Sequence, residues 1–600
     1  MHLTRKLMPA LLPLIFLVST VQAQTASRVI RAIDERCAAC HGDNVDDAAR
    51  VEGAPSRETL HQMTPETILQ AITIGAMRIH AEGITDEVKL AMAEFISGRK
   101  IGPIEAGSAQ KMPNRCAIPT LIDNQVENAD WNGWSPGVAN ARFQPNPGLS
   151  AADVPALELK WAFGFPGVSS VYGQPTLVGD RVFIGVDTGY VYALDSTTGC
   201  VHWSFLAESG VRNAVSIDRV DTPSERLVTY FGDIRANVYS VDAETGEMLW
   251  KTKVDPHPLA VITGSPTLHE GRLYVPVSSR EEAAGGALSY PCCTFRGSIV
   301  ALDAATGRQL WKSYAIPDTP IPDKLNSRGT QLWNGAGAAI WHAPTIDPEN
   351  RAVYVATGDS YTVPAHINSD AVMAIDMDTG ELLWSVQDWK NDSWLVACGQ
   401  NPTENCPQPL GPDFDFGTSP ILRSLPGGKR ALIAGQKSGF VFAHDPDQDG
   451  KLLWKAELVE NAGDAEILFG GAADETTAYF GLDDGTLAAL DISTGQRKWF
   501  LPPPSDSDLG ITAAVTAIPG VVFVGWQTGA LTAHDSVSGQ VIWSFNMLQD
   551  FTTVNGVPAR GGSSGAPGPT VAGGMLFIGS GYVGLSGGIP GNVLLAFRAR

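Results

Sequence analysis

A run of five residues near the start of the chain has the spacing of a covalent haem site. Cys37-Ala38-Ala39-Cys40-His41 places two thiols close together and an imidazole directly after them. Such thiols can add to the vinyl groups of a haem, and the histidine is then placed to ligate the iron. A zinc site would need a second ligand pair, and residues 24–115 contain none. We therefore predict one c-type haem on Cys37, Cys40 and His41.

The second axial ligand of this iron has several candidates. They are the side chains of Met63, Met77, Met92, Met112, His61 and His80. Met92 lies in a helical pattern and suits a packed core, whereas Met77 follows Gly75 on a loop that could fold over the haem. We choose Met77 ahead of Met63. Ligation by His and Met would raise the haem potential and suit an electron acceptor.

The elements around this motif are predicted to be helices. Thr64-Pro65-Glu66 and Thr85-Asp86-Glu87 each place an N-cap residue before a helix-starting turn, and Gly98 ends the last helix. Residues 102–147 are rich in Pro, Gly and Asn, which is typical of a linker and an extended segment. We predict a small all-α cytochrome c domain at residues 24–102 and a linker at 103–130.

Composition and the N-terminus indicate an exported protein that does not bind nucleic acid. The 600 residues include 42 basic and 64 acidic ones, for a net charge of −22, which disfavours a phosphate backbone as partner. Arg5 and Lys6 precede the apolar run Leu7–Val18, and Val21-Gln22-Ala23 offers a cleavage site. The run is short for a membrane span, which needs about 20 residues. We predict a signal peptide at residues 1–23, a periplasmic location, no membrane span and cysteines that can be oxidised.

From Leu157 onward the chain is built of repeats. Each copy has an Asp, a turn that reaches a Gly, and a strand that carries a Trp. The seven complete copies are Asp195…Gly199…Trp203, Asp242…Gly246…Trp250, Asp303…Gly307…Trp311, Asp376…Gly380…Trp384, Asp445…Gly450…Trp454, Asp491…Gly495…Trp499 and Asp535…Gly539…Trp543. The Asp can bond turn amides, the Gly accepts a positive φ, and the Trp can pack between neighbouring sheets.

An eighth copy is split between the two ends of the repeat region. Leu157–Trp161 has the Trp-bearing strand, and Val593–Phe597 has its partner strand. Joining them in one sheet would close a ring without open edges. We therefore predict an all-β eight-bladed propeller at residues 131–600. A linear solenoid is the alternative, but it would need capping repeats, which we do not find. The longest repeats lie between Trp250 and Trp454, where inserted loops can build a site.

A c-haem motif followed by a tryptophan-repeat propeller resembles the quinohaemoprotein alcohol dehydrogenases, which use pyrroloquinoline quinone (PQQ) and calcium. The likeness covers nearly the whole chain and includes the lead-in from Trp134-Ser135-Pro136-Gly137 to Arg142-Phe143. The order, cytochrome first, is similar to members that oxidise a polymeric alcohol. The resemblance implies oxidation of secondary alcohol groups, with electrons passing through the haem to an external cytochrome or quinone. A small alcohol or sugar is the alternative substrate.

Local stretches imply residues for the two cofactors. Asn334–Trp341 resembles the family segment whose Trp stacks on the quinone, which implies that role for Trp341. Val355–Asp359 resembles the strand end that supplies an Asn ligand to calcium, and Asp359 is also a hard oxygen donor. Ser278–Glu282 resembles the segment that gives a Glu ligand. Which glutamate serves is open, and we choose Glu281.

The reacting groups are implied in the same way, with one departure. Gly435–Phe440 resembles the stretch whose cation points at the quinone oxygens, which implies that Lys437 stabilises negative charge there. The family has a basic Asp directly after a Trp, in a segment that Asn391–Trp394 resembles. Leu395 stands at that position here and cannot take a proton. Of the nearby Asp388 and Asp392 we choose Asp392: either the base has shifted within this loop, or the local alignment has slipped.

The remaining cysteines suggest disulfides. Cys292-Cys293 resembles a family pair that can close into a ring over the quinone, although its blade context differs, and each could also pair elsewhere. Cys398 and Cys406 are near enough to staple an inserted loop, and Cys116 and Cys200 could tie the lead-in to blade 1.

A non-catalytic propeller scaffold is the third hypothesis, since the chain also resembles cofactor-free repeat lipoproteins of the outer membrane. The haem motif and the set of Trp341, Asp359 and Lys437 argue against it, because a scaffold needs none of them. Leu395 argues for it. The sequence therefore favours an enzyme over a scaffold.

Overall fold

The computed structural model describes residues 28–33, 36–37, 41, 55–73, 75, 77–117, 122, 130–220, 226–399, 402–503, 509–584 and 588–600. The chain forms two compact units, which meet in sequence between Ile101 and Gly102. The predicted signal peptide and Cys40 lie outside the described residues. No helix of the described part is long and apolar enough to cross a membrane.

The N-terminal unit is helical. Residues 28–33 form a helical turn, followed by α1 (Arg57–Gln62), α2 (Pro65–Thr73) and α3 (Asp86–Ser97). Two of these helices begin after Thr64 and Thr85, as predicted, and α3 ends at Gly98 with φ 66°. Thr85 makes no side-chain capping bond, however. The sequence pattern missed α1, whose start is capped by the Ser56 hydroxyl, which accepts the Thr59 N–H.

The second unit is a propeller, and its strands follow the repeats. Strand β1 is Leu157–Gly164. Blades 1 and 2 consist of β2 (Thr176–Val178), β3 (Arg181–Gly185), β4 (Tyr190–Asp195), β5 (Val201–Leu206), β6 (Ser216–Val220), β7 (Arg226–Gly232), β8 (Asn237–Asp242) and β9 (Met248–Lys253). Blade 3 consists of β10 (Ala260–Val261), β11 (Thr267–His269), β12 (Arg272–Ser279), β13 (Ser298–Asp303) and β14 (Gln309–Tyr314), with helix α4 (Glu281–Ala284) after β12.

An inserted hairpin, β15 (Ile321–Leu325) and β16 (Gln331–Asn334), precedes the next blade. Blades 4 and 5 consist of β17 (Thr345–Asp347), β18 (Ala352–Ala356), β19 (Ala371–Asp376), β20 (Leu382–Gln387), β21 (Ile421–Ser424), β22 (Arg430–Gly435), β23 (Phe440–Asp445) and β24 (Lys451–Glu457). Blades 6 and 7 consist of β25 (Ala472–Ala473), β26 (Thr477–Gly481), β27 (Leu487–Asp491), β28 (Arg497–Leu501), β29 (Thr516–Ile518), β30 (Val521–Gly525), β31 (Ala530–Asp535) and β32 (Val541–Asn546). A second hairpin, β33 (Asp550–Phe551) and β34 (Ala559–Arg560), leads to blade 8, formed by β35 (Thr570–Ala572), β36 (Met575–Ser580), β37 (Val593–Ala599) and β1.

The ring closes where the split repeat predicts. Strand β1 pairs antiparallel with β37, from Leu157 opposite Ala599 to Gly164 opposite Val593. The first and last strands of the propeller therefore share one sheet, and the eight blades of the described residues form a closed ring. The eight-bladed prediction is confirmed, and the linear solenoid is wrong.

Each repeat tryptophan docks on the turn of the next blade. The Trp203 Nε1–H donates to the Ala243 carbonyl at 2.9 Å. The Trp161 Nε1–H donates to the Ser196 carbonyl at 3.0 Å. Gly246 lies against the Trp203 ring, so that a Cβ on Gly246 would stand 2.8 Å from a ring carbon. The repeat glycine therefore serves the turn, where its φ is 75°, and also makes room for the neighbouring tryptophan.

The lead-in segment crosses the inner strands and ties blades together. Its backbone pairs with strands of five blades through the bonds Trp131 N–Leu177 O, Ile346 N–Val138 O, Leu422 N–Ala139 O, Ala473 N–Ala141 O and Gly574 N–Pro147 O. Arg142 is fully buried in this segment and lies over the Trp134 ring at 4.6 Å. Its guanidinium donates to the Val515 carbonyl and the Thr516 hydroxyl, which joins the lead-in to blade 7.

Candidate functional site

Acidic side chains from three blades meet where the inserted loops converge. Glu282 belongs to α4 after β12, Asp359 follows β18, and Asp413 precedes β21. One carboxylate oxygen from each lies within 4.8 Å of the others. Asp359 is 1 % exposed, and neither of its carboxylate oxygens has a hydrogen-bond partner among the residues that the structure describes. Burial and then the neighbouring carboxylates raise the pKa of Asp359 well above its ordinary value and that of Glu282 to about 7. Three crowded hard oxygen donors are the chemistry of a calcium site.

Lys437 is the cation beside this cluster. Its ammonium donates to Asp413 Oδ1 at 2.7 Å and lies 3.0 Å from Asp415 Oδ2. Asp415 in turn accepts the backbone N–H of Asp359 at 2.6 Å. Burial alone would lower the pKa of Lys437, but Asp413 and Asp415 raise it well above its ordinary value. The lysine is therefore charged and fixed between the two aspartates.

Trp341 lies within reach of the same group. The Lys437 ammonium is 6.0 Å from the centre of the Trp341 ring, and the Phe469 ring meets that ring edge-on at 5.7 Å. Trp341 is only partly buried and is not one of the repeat tryptophans that dock on a turn. The structure thus brings together Trp341, Asp359 and Lys437, the three residues singled out from the sequence.

The vicinal cysteines form a disulfide, and the peptide bond between them is cis. Cys292 and Cys293 are buried in one apolar cluster with Leu395, and Trp341 packs against this cluster. A Cβ on Gly285 would stand 2.7 Å from Cys292 Sγ and 2.8 Å from a Leu395 methyl carbon. Leu395 therefore fills apolar space beside the disulfide. The two other predicted disulfides, Cys116–Cys200 and Cys398–Cys406, are also formed.

Glu281, chosen from the sequence as a calcium ligand, is not one of the three carboxylates of the acidic cluster. Its side chain is fully buried and accepts three hydrogen bonds, from the Tyr290 hydroxyl at 2.9 Å and the N–H groups of Thr294 and Phe295 at 2.9 and 2.7 Å. It therefore holds the loop that carries the disulfide. The neighbouring Glu282 faces Asp359 instead. The sequence gives no reason to assign different roles to two adjacent glutamates. The hydrogen-bond donors around each side chain show which one is already satisfied by the protein.

Asp392 is placed as a support for the cluster. It is fully buried, and its carboxylate accepts the N–H of Phe414 at 2.7 Å and that of Asp413 at 3.3 Å. Burial raises its pKa to about 6. A Cβ on Gly411 would collide with this carboxylate, so the loop packs tightly over it. Asp392 thus fixes the backbone of the loop from which Asp413 projects.

Asp413 is the carboxylate that the sequence reasoning missed. Its side chain is 15 % exposed and pairs with Lys437. Burial raises its pKa well above the ordinary value, Lys437 opposes this rise, and Asp415 adds to it. An insertion closed by the Cys398–Cys406 disulfide separates Trp394 from Asp413. A search for an Asp directly after a Trp therefore does not find Asp413. Asp413 and Asp415 stand two residues apart shortly before a blade strand, and this pair of carboxylates could have indicated a functional site from the sequence.

Two arginines lie on another side of Trp341. Trp341 packs against the cluster of Phe469 and Tyr582, and the Arg212 guanidinium lies over both of those rings at 5.0 and 5.8 Å. Arg212 donates to the Tyr582 hydroxyl at 2.8 Å. In the described part of the chain the Arg280 side chain has no hydrogen-bond or ion-pair partner, and burial and then Arg212 lower its pKa. Two arginines therefore lie near the aromatic cluster that Trp341 contacts, Arg212 on its rings and Arg280 close enough to Arg212 for their charges to interact.

The N-terminal unit places three of the predicted haem residues. The His41 Nδ1–H donates to the Pro55 carbonyl at 2.8 Å, which leaves Nε2 to bind a metal. Cys37 and Met77 pack against one apolar cluster, which contains buried Met92 but not Met63. His80 lies near enough to His41 for the two charges to interact, although burial is the main cause of its lowered pKa.

His342, next to Trp341, leads to a prediction on stability. It is buried, its Nε2–H donates to the Ala356 carbonyl at 2.8 Å, and burial lowers its pKa from 6.5 to about 4. Between these values the unfolded chain binds a proton that the folded chain does not. We therefore expect this residue to cost up to about 3 kcal/mol of folding stability as the pH falls from 6.5 to 4.

The measurement is urea unfolding of wild type and His342→Gln at pH 7 and pH 4.5. The stability advantage of the wild type should shrink at the lower pH, because glutamine does not titrate. A difference that is the same at both values would contradict the assignment of a neutral buried His342.

Comparisons with known proteins place the chain in a family. The profile of the PQQ family described as "Glucose/ethanol/alcohol dehydrogenase, beta-propeller domain" matches residues 131–465. The polyvinylalcohol dehydrogenase of Pseudomonas sp is 40 % identical, covering 94 % of this chain and 92 % of its own. That of Sphingopyxis sp. (strain 113P3) is also 40 % identical, covering 94 % of this chain and 91 % of its own. The chain belongs to the polyvinyl alcohol dehydrogenase family.

Membership in the polyvinyl alcohol dehydrogenase family makes the chain an oxidoreductase with a PQQ-type propeller, and the scaffold hypothesis is set aside. A profile described as outer membrane protein assembly factor BamB matches residues 368–587, which is the shorter match. The solved quinohemoprotein alcohol dehydrogenase ADHIIG from Pseudomonas putida HK5 has a TM-score of 0.58 at 17 % identity, covering 81 % of this chain and 83 % of its own. That likeness bears on the fold alone.

Proposed function

We propose that this enzyme oxidises the secondary alcohol groups of polyvinyl alcohol to ketones, with PQQ and calcium in the propeller. The observation that carries this is the buried carboxylate of Asp359, which lies between Glu282 and Asp413 and accepts no hydrogen bond from the described part of the chain. Lys437 and Trp341 lie beside this cluster. The substrate follows from the two relatives named polyvinylalcohol dehydrogenase, each aligned over 94 % of the chain. A small alcohol or sugar is the competing substrate.

The acidic cluster fits calcium. Glu282 and Asp359 would hold the ion, because their oxygens are close together and those of Asp359 accept no hydrogen bond within the described residues. A cation there would offset the burial and the carboxylate repulsion that together raise the pKa of both groups. Glu282 replaces Glu281 in this proposal.

The surroundings of Trp341 fit a planar, carboxylated quinone. Trp341 would supply the flat apolar face, and the buried Cys292–Cys293 disulfide would form another wall. Arg212 and Arg280, which have no carboxylate partner among the described residues, would bind the carboxylates of PQQ. Lys437 would face the oxygens on which negative charge develops. When bound, PQQ supplies the two-electron acceptor for the hydride of the carbinol carbon, and calcium supplies a Lewis acid beside it.

The chain's own residues would then handle the proton. Asp413, which is partly exposed and paired with Lys437, would take the hydroxyl proton of the substrate at its carboxylate oxygen. Lys437 at 2.7 Å favours the ionised form of that carboxylate, against the effect of burial, and holds the side chain in place. Asp392 positions Asp413 through the backbone bonds described above and does not itself face the substrate in this proposal. Leu395 therefore does not argue against catalysis.

Electrons would leave through one c-type haem in the N-terminal unit. We propose Cys37 and Cys40 as its covalent anchors and His41 and Met77 as the iron ligands. The His41–Pro55 bond and the packing of Cys37 with Met77 support this, whereas Cys40 lies outside the described residues. The proposal includes a signal peptide at 1–23, a cytochrome c domain at 24–102, a linker at 103–130 and the propeller at 131–600. Export to the periplasm and transfer to an external cytochrome or quinone complete it.

A dye-linked assay tests this function. The protein freed of cofactors is reconstituted with PQQ, calcium, both or neither, and supplied with an artificial electron acceptor and polyvinyl alcohol, pentane-2,4-diol or glucose. We expect turnover only with both cofactors and a higher kcat/KM, per carbinol group, for the polymer than for the diol. Turnover without PQQ would contradict the cofactor, and a preference for glucose would contradict the substrate.

A further inference from the structure

The inserted hairpin β15–β16 is joined to the candidate site. The Trp333 N–H donates to the Cys292 carbonyl at 2.7 Å, and Leu332 is buried in the apolar cluster that contains both vicinal cysteines. The chain leaving β16 is also held, because the N–H of Gly335 donates to the Thr362 hydroxyl at 3.0 Å. The hairpin therefore extends outward from the disulfide wall of the site.

One face of this hairpin is apolar and uncovered. Every residue of β15 is exposed. Leu325, which is 63 % exposed, lies opposite Gln331 and therefore on the same face as Trp333, two residues further along β16. Pro322 lies opposite Trp333 in the strand register, and directly opposed residues of an antiparallel pair share a face. Trp333 is partly exposed, and its ring has no ring, cation or hydrogen-bond partner in the described part of the chain. Leu332, its neighbour in sequence, points to the buried side instead.

Other insertions brace the hairpin from behind. The Asn326 side chain in its turn donates to the Leu288 carbonyl at 2.8 Å and to Asn405 Oδ1 at 2.9 Å. Asn405 belongs to the insertion stapled by Cys398–Cys406 and donates to the Ala287 carbonyl at 2.8 Å. A surface that is held this firmly needs little ordering when a ligand binds.

We propose that this face, formed by Trp333, Pro322 and Leu325, binds a stretch of the polymer chain that neighbours the reacting carbinol. The proposal rests on the proposed function, since it takes the polymeric alcohol as the occupant. A chain of alternating CH2 and CHOH groups can lay its hydrocarbon edge on an aromatic and aliphatic face while its hydroxyls stay in water. It carries no charge and so needs no counter-charge. The hairpin that carries the face is bonded to the disulfide loop through the Trp333 N–H, which places it next to the site.

The test compares four variants of the full-length chain in two assays. Trp333→Ala and Leu325→Ser remove parts of the face, Trp333→Phe retains an aromatic ring, and Leu382→Ser on outer strand β20 is the control, since Leu382 is 47 % exposed but lies away from the hairpin. The first assay is retardation in native gels that contain polyvinyl alcohol, which needs no cofactor. The second is kcat/KM of the reconstituted enzyme for the polymer and for pentane-2,4-diol.

We expect Trp333→Ala to weaken retardation and to lower kcat/KM for the polymer by about tenfold, with the diol unchanged. Trp333→Phe should retain most of the retardation and most of the kcat/KM for the polymer. Leu382→Ser should match the wild type in both assays. Equal retardation of wild type and Trp333→Ala would overturn the proposal. A loss of kcat/KM for the diol as large as the loss for the polymer would also overturn it. A sedimentation mass that halves in Trp333→Ala would also overturn it, because the face would then join two copies of the chain. If no alcohol is oxidised but retardation still depends on Trp333, the proposed function fails and the binding face stands.

Discussion

Asp413→Asn is expected to lower kcat for alcohol oxidation by about 10³-fold, because asparagine keeps the shape of the side chain but cannot accept the hydroxyl proton. Asp413 is the carboxylate that is both partly exposed and paired with Lys437, so the loss should appear in kcat rather than in binding of the polymer. The measurement is the dye-linked rate at saturating polyvinyl alcohol, with PQQ and calcium binding checked separately by calorimetry.

Asp392→Asn is the matched control for this variant. Asp392 is fully buried and holds the backbone of Phe414 and Asp413, and an asparagine oxygen can still accept one of those bonds. We expect its kcat to fall by less than about tenfold. If Asp392→Asn were inactive and Asp413→Asn retained a tenth or more of the wild-type rate, the base would be Asp392, as the sequence alone led us to choose.

Glu282→Gln and Asp359→Asn should each weaken calcium binding by about 100-fold, because each removes a charged oxygen donor from a site of few ligands. Terbium luminescence excited through tryptophan, with calcium as competitor, measures this without any turnover. Trp341 lies beside the cluster and can act as the sensitiser.

Glu281→Gln tests whether the two neighbouring glutamates have different roles. Glu281 holds the loop at Thr294 and Phe295, so its variant should melt at a lower temperature while it binds calcium as the wild type does. The opposite pattern, with calcium lost in Glu281→Gln and kept in Glu282→Gln, would restore the choice made from the sequence.

The ring architecture could be predicted because its signals are local and repeated. Each Asp…Gly…Trp copy specifies a turn and a docking tryptophan, and the split copy at Leu157–Trp161 and Val593–Phe597 specifies closure. The tight approach of Gly246 to Trp203 was not predictable, since it depends on how one blade packs on the next.

The site was predictable only in part, because its residues converge from loops of different length. Trp341, Asp359 and Lys437 lie next to blade strands whose positions are fixed, and the structure brings them together. Asp413 follows the insertion closed by Cys398–Cys406, which moves it along the chain. Nothing in the sequence around Glu281 indicates that three donors hydrogen-bond to its side chain. Arg280 became a candidate only when the described residues showed no hydrogen bond or ion pair to its side chain.

Absorbance of the protein's own haem tests the central claim most directly. Oxidised enzyme reconstituted with PQQ and calcium is mixed rapidly with polyvinyl alcohol, and haem reduction is followed during the first turnover. We predict reduction that requires both cofactors and is absent in Asp413→Asn and Trp341→Ala, although dithionite reduces the haem of every variant. A haem that dithionite reduces but the polymer does not, with both cofactors bound, would contradict the account.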